Sequence, residues 1–371
     1  MQKFNVFPAI EQFEKCEEFL VEFGIGNGDL VFISDSTRDS YFADAFSDAL
    51  VINYRKYGSG EPTDTMVENI YKDINGYTYN RVFAIGGGTI LDVAKLFALR
   101  QTVPILDLFD KKFEIVKDKE LILVPTTCGT GSEVTNISIL ELTARNTKMG
   151  LAVDELYADY AVLIPELIAK LPFKYFATSS IDALIHSIES YTSPKATEFS
   201  KLFSEKAMRM ILLGYKEIVN NGPESRDLYL NEFLIASTYA GIAFGNAGCA
   251  AVHAMSYPLG ATYHIPHGEA NYLMFIEVYK TYQALDPNGS IKNLNNILAE
   301  ILECDDDHVY GELEKLLDNI LPRKPLHLYK VTENDLLLFT DTVMTKQGRL
   351  MANNYTVLDK EMVLSIYSKL Y

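Results

Sequence analysis

Asp182 and His186 stand four residues apart in the run SSIDALIHSIESY. On a helix that spacing puts both side chains on one face, which Glu189 also joins. Ile181, Leu184, Ile185 and Ile188 make the apolar remainder. Such a pair is commonly no more than a surface hydrogen bond. Further along, the stretch AVHAMSYPLGATYHIPHGEAN, residues 251–271, holds three of the six histidines: His253, His264 and His267. Pro258 and Pro266 disfavour one continuous helix there, which predicts His253 near the end of one helix and His267 at the start of the next. Asp182, His186, His253 and His267 together are one carboxylate and three imidazoles from three helical segments. That set suits a divalent ion such as Zn or Fe(II) and excludes neither Mn nor Co. No histidine precedes residue 186, as a single metal site in the second half would produce, and His308 and His327 lie in ordinary surface sequence.

The first half supplies a different chemistry. Apolar runs at 29–34, 49–54, 81–85 and 120–124 alternate with helical spacing at 41–50, 63–74 and 91–99. Alternation of this kind implies a parallel sheet covered on both faces, whose ligands bind at the carboxyl ends of the strands. Both glycine-rich stretches fall there. In AIGGGTILDVAK, Gly86, Gly87 and Gly88 let the backbone approach a phosphate that faces a helix N-terminus. The GxGxxG fingerprint is not met, because Leu91 occupies its last position. In PTTCGTGSEVT, residues 125–135, a second strand-to-helix turn offers hydroxyls and glycines; Thr130 and Glu133 also fit a capping box. Two such turns suit a diphosphate. Asp35, just after an early strand, can accept from ribose hydroxyls and would repel a 2'-phosphate, favouring NAD over NADP. It would equally cap a helix.

After Pro172 the strand signals fade and helical periodicity takes over, with a turn at Asp286-Pro287-Asn288-Gly289. The predicted organisation is an α/β, Rossmann-like domain over residues 1–173 and an all-α, metal-binding catalytic domain over 174–371. A formal net charge of -17 argues against nucleic-acid and anionic-membrane partners. The four cysteines, Cys16, Cys128, Cys249 and Cys304, form no CxxC pair and suit a reduced, cytoplasmic setting. No Asp, Glu, Lys or Arg occurs between Glu232 and Glu269. Rich in Gly, Ala, Ser, Asn and His, and without basic flanks, that run reads as a buried helix rather than a membrane span.

These residues resemble the iron-containing (group III) alcohol dehydrogenases over the whole chain. Gly86-Gly87-Gly88-Thr89-x-x-Asp92-x-Ala94-Lys95 is similar to that family's GGGS-x-x-D-x-x-K loop, with Thr89 for the usual Ser. Pro125-Thr126-Thr127-x-Gly129-Thr130-Gly131-Ser132-Glu133 is similar to its second signature, with Cys128 where Ala is common. Asp182, His186, His253 and His267 match the family's metal ligands. The runs HAMSYPLG and YHIPHGEANYL are most similar to the NAD-dependent 4-hydroxybutyrate dehydrogenases of anaerobic fermentation. The resemblance implies a cytoplasmic homodimer or higher homo-oligomer that uses NAD and Fe(II), with Zn the alternative ion. It implies a small carboxylated alcohol or aldehyde as substrate, 4-hydroxybutyrate or succinate semialdehyde. A divalent ion would act as Lewis acid on the substrate oxygen while hydride passes to or from nicotinamide C4. The pyrophosphate would rest on Gly86 to Gly88, Thr89, Asp92, Thr126, Thr127 and Thr130, with Lys148 near the ribose. Lys148 would otherwise be an exposed strand lysine.

One departure stands out. Tyr257 occupies the second position of the family's HxxxH, and a phenol, with a reference pKa of about 10, is a poor base near neutrality. Tyr257 and His264 are both candidates for the proton relay. The charge-free run offers no Lys or Arg for a substrate carboxylate, leaving Asn246, Tyr257 and Tyr263 as neutral donors. Two other readings use the same ligands: a dehydrogenase for a simple alcohol or diol, and a metal-dependent hydrolase. The hydrolase has no use for the glycine turns or Asp35. A metal-stabilised helical protein without activity would more commonly use cysteines.

Overall fold

The computed structural model describes residues 3–371 except 59, 61 and 146, and divides into two compact units. One unit is Val6–Leu171; the other is Pro172–Tyr371 together with the N-terminal residues up to Asn5. In the helical unit Phe4 stacks on Phe199 and Phe203 at 5.6 and 5.8 Å, and Asn246 both accepts from the Asn5 amide and donates to its carbonyl.

The first unit runs β1 (Ala9–Gln12), α1 (Cys16–Phe23), β2 (Asp29–Ile33), α2 (Asp35–Tyr41), β3 (Leu50–Ile52), α3 (Asp64–Asp73) and β4 (Arg81–Gly86). It continues through α4 (Gly88–Phe97), α5 (Ile105–Phe109), β5 (Glu120–Pro125), β6 (Ile137–Leu142), β7 (Thr147–Ala152), β8 (Tyr160–Leu163) and α6 (Glu166–Ala169). Six strands form one parallel sheet in the order β1-β8-β5-β4-β2-β3, while β6 and β7 make an antiparallel pair. Alternate residues of the central strands feed two cores. Leu30, Phe32, Val82 and Ala84 face α3 and α4; Val31, Ile33, Phe83 and Ile85 face α1. Burial on both faces explains why these strands read as unbroken apolar runs.

Two expectations shift here. The helix expected over 41–50 lies earlier, at α2, and 42–48 are turns. Ser34 accepts from the Thr37 amide and so caps the helix that Asp35 begins. The strand order also reverses between β2 and β4, since β3 lies outside β2 and the chain then crosses back to β4. Asp35 and Gly86 to Gly88 leave the carboxyl ends of those two strands, where doubly wound sheets bind their ligands.

The second unit is helical: α7 (Phe173–Thr192), α8 (Glu198–Asn221), α9 (Leu230–Ala247), α10 (Ala251–Tyr263), α11 (His267–Leu285), α12 (Ser290–Leu302) and α13 (Val309–Ile320). Then follow α14 (Glu333–Lys346), α15 (Gly348–Met351) and α16 (Lys360–Leu370). Every residue of α7 from Ser180 to Thr192 is buried, because α8, α9 and α11 pack around it. No single helix among the described residues is long and apolar enough to cross a membrane, and the charge-free run bends by 105° between α9 and α10.

Pro258 corrects the expectation for that run. It sits inside α10 rather than ending a helix, and His253 lies in the first turn of α10, not at a helix end. The proline removes the helical donor for the Ala254 carbonyl, while side chains add donors to the two carbonyls that flank it. Ser256 Oγ donates to the His253 carbonyl at 3.0 Å and the Tyr367 hydroxyl to that of Met255 at 2.6 Å. The break comes later, at His264 (φ 54°), before Pro266 leads into α11.

The approach of α11 to α7 rests on Gly268. A Cβ there would stand 2.1 Å from the Thr178 carbonyl oxygen and 3.3 Å from Asp182 Cβ. Gly268→Ala therefore lowers stability by about 1–3 kcal/mol or more through overpacking. Urea unfolding reads this as a lower midpoint; an unchanged midpoint would refute the close packing of the two helices.

Candidate metal centre and nucleotide-binding turns

The metal centre begins with the face of α7. Asp182, His186 and Glu189 follow one another at helical spacing, and all three are buried. Glu189, which is 0% exposed, is the least expected member. It accepts from the Ala250 amide at 3.1 Å, the Val252 amide at 2.8 Å and His253 Nδ1 at 2.6 Å. One carboxylate thus serves the orphan amides at the start of α10 and fixes the His253 ring. The turn before α10 is held from its other side. Ser193 Oγ and Asn353 Nδ2 donate to the Ala247 carbonyl at 2.7 and 2.9 Å, and Asn353 also donates to the Cys249 carbonyl at 3.1 Å.

With Nδ1 committed to Glu189, His253 offers Nε2. That nitrogen is buried, has no hydrogen-bond partner and lies 3.8 Å from Asp182 Oδ1. His267 Nε2 is 4.0 Å from the same oxygen. The donor atoms of Asp182, His253 and His267 all fall within 4.8 Å of one another. A buried polar atom without a partner is costly, and a cation among these donors would remove that cost. The arrangement therefore fits a divalent ion. His186 joins the group with its ring stacked on His253 at 4.7 Å and on Phe244 at 4.2 Å. Burial pushes the Asp182 pKa up, but His186, His267, His253 and the Asn271 amide outweigh it and hold the carboxyl below its usual range. Asn271 Nδ2 donates to Asp182 Oδ1 at 2.7 Å. From sequence Glu189 is placed on the Asp182–His186 face without a role, and Asn271 and Asn353 are not singled out; Asn271 is findable as the i+4 neighbour of His267.

The relay candidates separate. Tyr257 is half-buried with its ring 6.0 Å from that of His267, and burial raises its pKa, so it stays a donor at neutral pH. His264 is exposed at the left-handed turn closing α10. Of the neutral donors, Asn246 is engaged with Asn5 and the Ile242 carbonyl, and the Tyr263 hydroxyl with Asp335 at 2.6 Å. His308 and His327 are exposed, and His327 Nδ1 meets the Tyr371 carbonyl.

In the first unit the two glycine turns leave neighbouring strands in register, with Gly86 opposite Pro125, and the Thr126 amide donates to the Gly86 carbonyl at 3.0 Å. Two of the three glycines leave no room for a Cβ: one on Gly86 would lie 2.4 Å from Ile90 and one on Gly88 2.8 Å from Thr130, whereas one on Gly87 would make ordinary contact with Thr127 at 3.5 Å. Thr89, Thr126, Thr127 and Thr130 are partly exposed around this cradle, which fits a diphosphate. In place of a capping box, Thr130 Oγ1 accepts from the Ser132 amide at 3.4 Å. Asp92 turns inward: its Oδ1 accepts from the buried Lys95 ammonium at 3.1 Å and its Oδ2 from the Ile139 amide at 3.2 Å. Lys95 also donates to the Ile137 carbonyl at 2.7 Å, so the pair ties α4 to β6. Asp35 is exposed, bridged to Arg38 at 3.4 Å and bonded by the Asn53 amide. Lys148 lies on β7, its Cα opposite Glu141.

A parallel α/β unit with two phosphate-type turns, and a helical unit with a buried Asp–His centre, define a metal-dependent oxidoreductase. Residues 8–165 match the family described as iron-containing alcohol dehydrogenase, and residues 176–371 the C-terminal part of the Fe-containing alcohol dehydrogenase family. The chain belongs to the iron-containing alcohol dehydrogenase family. It is 50% identical over 372 residues, covering 100% of both chains, to the 4-hydroxybutyrate dehydrogenase of Clostridium kluyveri. It is 34% identical to long-chain-alcohol dehydrogenase 1 of Geobacillus thermodenitrificans, over 78% of this chain and 74% of that one. Among solved structures, the sulfoacetaldehyde reductase of Bifidobacterium kashiwanohense in complex with NAD+ has the same fold, with a TM-score of 0.86 at 24% identity over 100% and 98% of the two chains.

Because Glu189 orients the imidazole, Glu189→Gln weakens metal binding by about 10–100-fold with the helical content unchanged. Competition with a chelator of known affinity measures it. Wild-type affinity in that variant would show that Glu189 only joins helices.

Proposed function

We propose that this chain interconverts 4-hydroxybutyrate and succinate semialdehyde with NAD(H), using one divalent ion held by Asp182, His186, His253 and His267. The observation that carries the metal chemistry is the buried, unpartnered His253 Nε2 facing Asp182 and His267. The substrate class rests on the full-length similarity to the Clostridium kluyveri enzyme. Fe(II) is the ion proposed, with Zn(II) its competitor, since the affinity order favours Zn. When bound, the ion supplies Lewis acidity to the substrate oxygen.

The protein's own groups do the rest. Gly86 to Gly88 and Thr130 offer backbone approach and hydroxyls to the pyrophosphate, with Thr89, Thr126 and Thr127 beside them and Lys148 assigned near the ribose. Asp35, at the strand-order reversal, disfavours a 2'-phosphate and so selects NAD. Asp92 acts on the cofactor only by fixing α4. Tyr257, protonated and beside His267, donates to the substrate oxygen or the solvent chain; the exposure of His264 makes it the weaker relay. Membership of this family removes the hydrolase alternative. A homo-oligomer in the cytoplasm is also part of this proposal, in keeping with four free thiols.

The substrate carboxylate still needs a cation. Arg349 stands on α15, which packs against α10, and its charge acts on the Tyr257 phenol. We assign it to the carboxylate. Arg349→Gln raises KM for succinate semialdehyde by about tenfold, the loss of about 1.4 kcal/mol in one charge-assisted contact, while leaving KM for butanal unchanged. Equal KM effects on both aldehydes would remove that assignment.

The activity test follows NADH absorbance in anaerobically reconstituted enzyme supplied with succinate semialdehyde, with butanol and 1,3-propanediol as comparison substrates in the reverse direction. Preference for the four-carbon hydroxy acid is the outcome expected; no NADH oxidation in metal-replete enzyme would sink the dehydrogenase, and preference for butanol or the diol would sink the substrate. His267→Ala loses metal and activity while keeping the fold. Full metal occupancy by elemental analysis would refute its role as ligand.

A further inference from the structure

Cys249 lies beside the metal centre without belonging to the set just described. Its Sγ, one ring nitrogen of His186 and one of His253 all fall within 4.8 Å of one another. A cysteine near a histidine is most often a packed thiol. Here the shared histidine argues otherwise, because His253 Nε2 is buried without a partner and Nδ1 is already taken by Glu189. Two triads therefore share His253, Asp182–His253–His267 and His186–Cys249–His253, and with Nδ1 held by Glu189 the nitrogen left for either is Nε2.

We infer that Cys249 gives this centre a second, thiolate-bearing position, in which a soft divalent ion is held by His186, Cys249 and His253 in place of Asp182 and His267. The inference rests on the metal-centre reading above and extends it to ion selectivity. Softness separates the two triads. One carboxylate and two imidazoles suit Fe(II) or Mn(II), whereas a thiolate draws Zn(II) or Cd(II). Placement favours the second triad as much as the first. The His186 ring lies nearly parallel to that of His253, 17° between planes, and one of its nitrogens is within 4.8 Å of Cys249 Sγ. Cys249 itself is fixed by the turn after α9. Gly248 has φ 80°, a Cβ there would be 3.0 Å from Asn353 Nδ2, and Asn353 holds the Cys249 carbonyl. Tetrahedral bonds of about 2.0–2.3 Å place ligand atoms about 3.3–3.8 Å apart, so side-chain rotation of about 1 Å completes the site. Binding exchanges the thiol proton for the ion: an S–metal bond forms, the S–H bond breaks, and one proton goes to solvent, with no change in oxidation state.

The two positions exclude each other, so the softer ion leaves Asp182 and His267 without metal. Metal-stripped full-length protein titrated with Cd(II) tests this. The expected result is a near-ultraviolet thiolate-to-cadmium band and a released proton, both lost in Cys249→Ser. In that variant Cd(II) affinity falls by about tenfold or more while Mn(II) affinity, read by electron paramagnetic resonance, stays the same. Asp182→Asn gives the reverse, keeping the band and losing Mn(II). Cd(II) bound without the band, or a band that survives Cys249→Ser and so belongs to Cys16, Cys128 or Cys304, overturns the inference and leaves the metal centre standing. Failure of the wild-type protein to bind either ion would remove the metal centre itself.

Discussion

The contact between Glu189 and His253 is the constraint from which the helical unit takes its shape. A carboxylate with no exposure is tolerable only if its lone pairs are met by donors. Glu189 meets the condition with two amides at the head of α10 and one imidazole nitrogen. Those partners exist only because the chain turns by 105° between α9 and α10. The turn in turn needs Gly248 in a left-handed conformation and Asn353 beneath it. Breaking any member leaves a charge or an amide stranded. The geometry of the candidate ligands is thus a by-product of satisfying one buried acid.

Selectivity, on this view, is decided by what surrounds His253 and not by the histidine alone. Its free nitrogen can be reached by an oxygen donor from α7 or a sulfur donor from the turn, and one nitrogen of His186 lies within 4.8 Å of that sulfur. The hard and soft faces of one ring are then presented to different ions. In the other unit the same economy appears in Asp92 and Lys95, whose pairing inside the fold leaves the cradle to glycines and threonines.

Much of this was legible in the sequence, and the reasons are physical. The strands of the sheet are buried on both faces, so their apolar runs were unbroken, and the glycine turns followed at once. The four metal-ligand candidates were visible because histidine is scarce in this chain. What could not be read was tertiary in origin. Pro258 suggested a helix end, but Tyr367 and Ser256 supply donors to the carbonyls around it, and no local pattern announces a side chain more than a hundred residues away. The helix at 35–41 was misplaced because Ser34, an ordinary cap, outweighed an apolar pattern that continues into turns. Glu189 looked like one more residue on a helical face. Cys249 looked like an isolated thiol.

The charge-free stretch between Glu232 and Glu269 has a consequence for electroneutrality. Asp182 and Glu189 bring two formal negative charges into the buried interior, and the run between Glu232 and Glu269 contributes no Lys or Arg to balance them. A divalent cation restores zero net charge at that spot. Folding and cation uptake are then linked by mass action, so the resting stability of this chain in a cell is set partly by the free metal concentration around it.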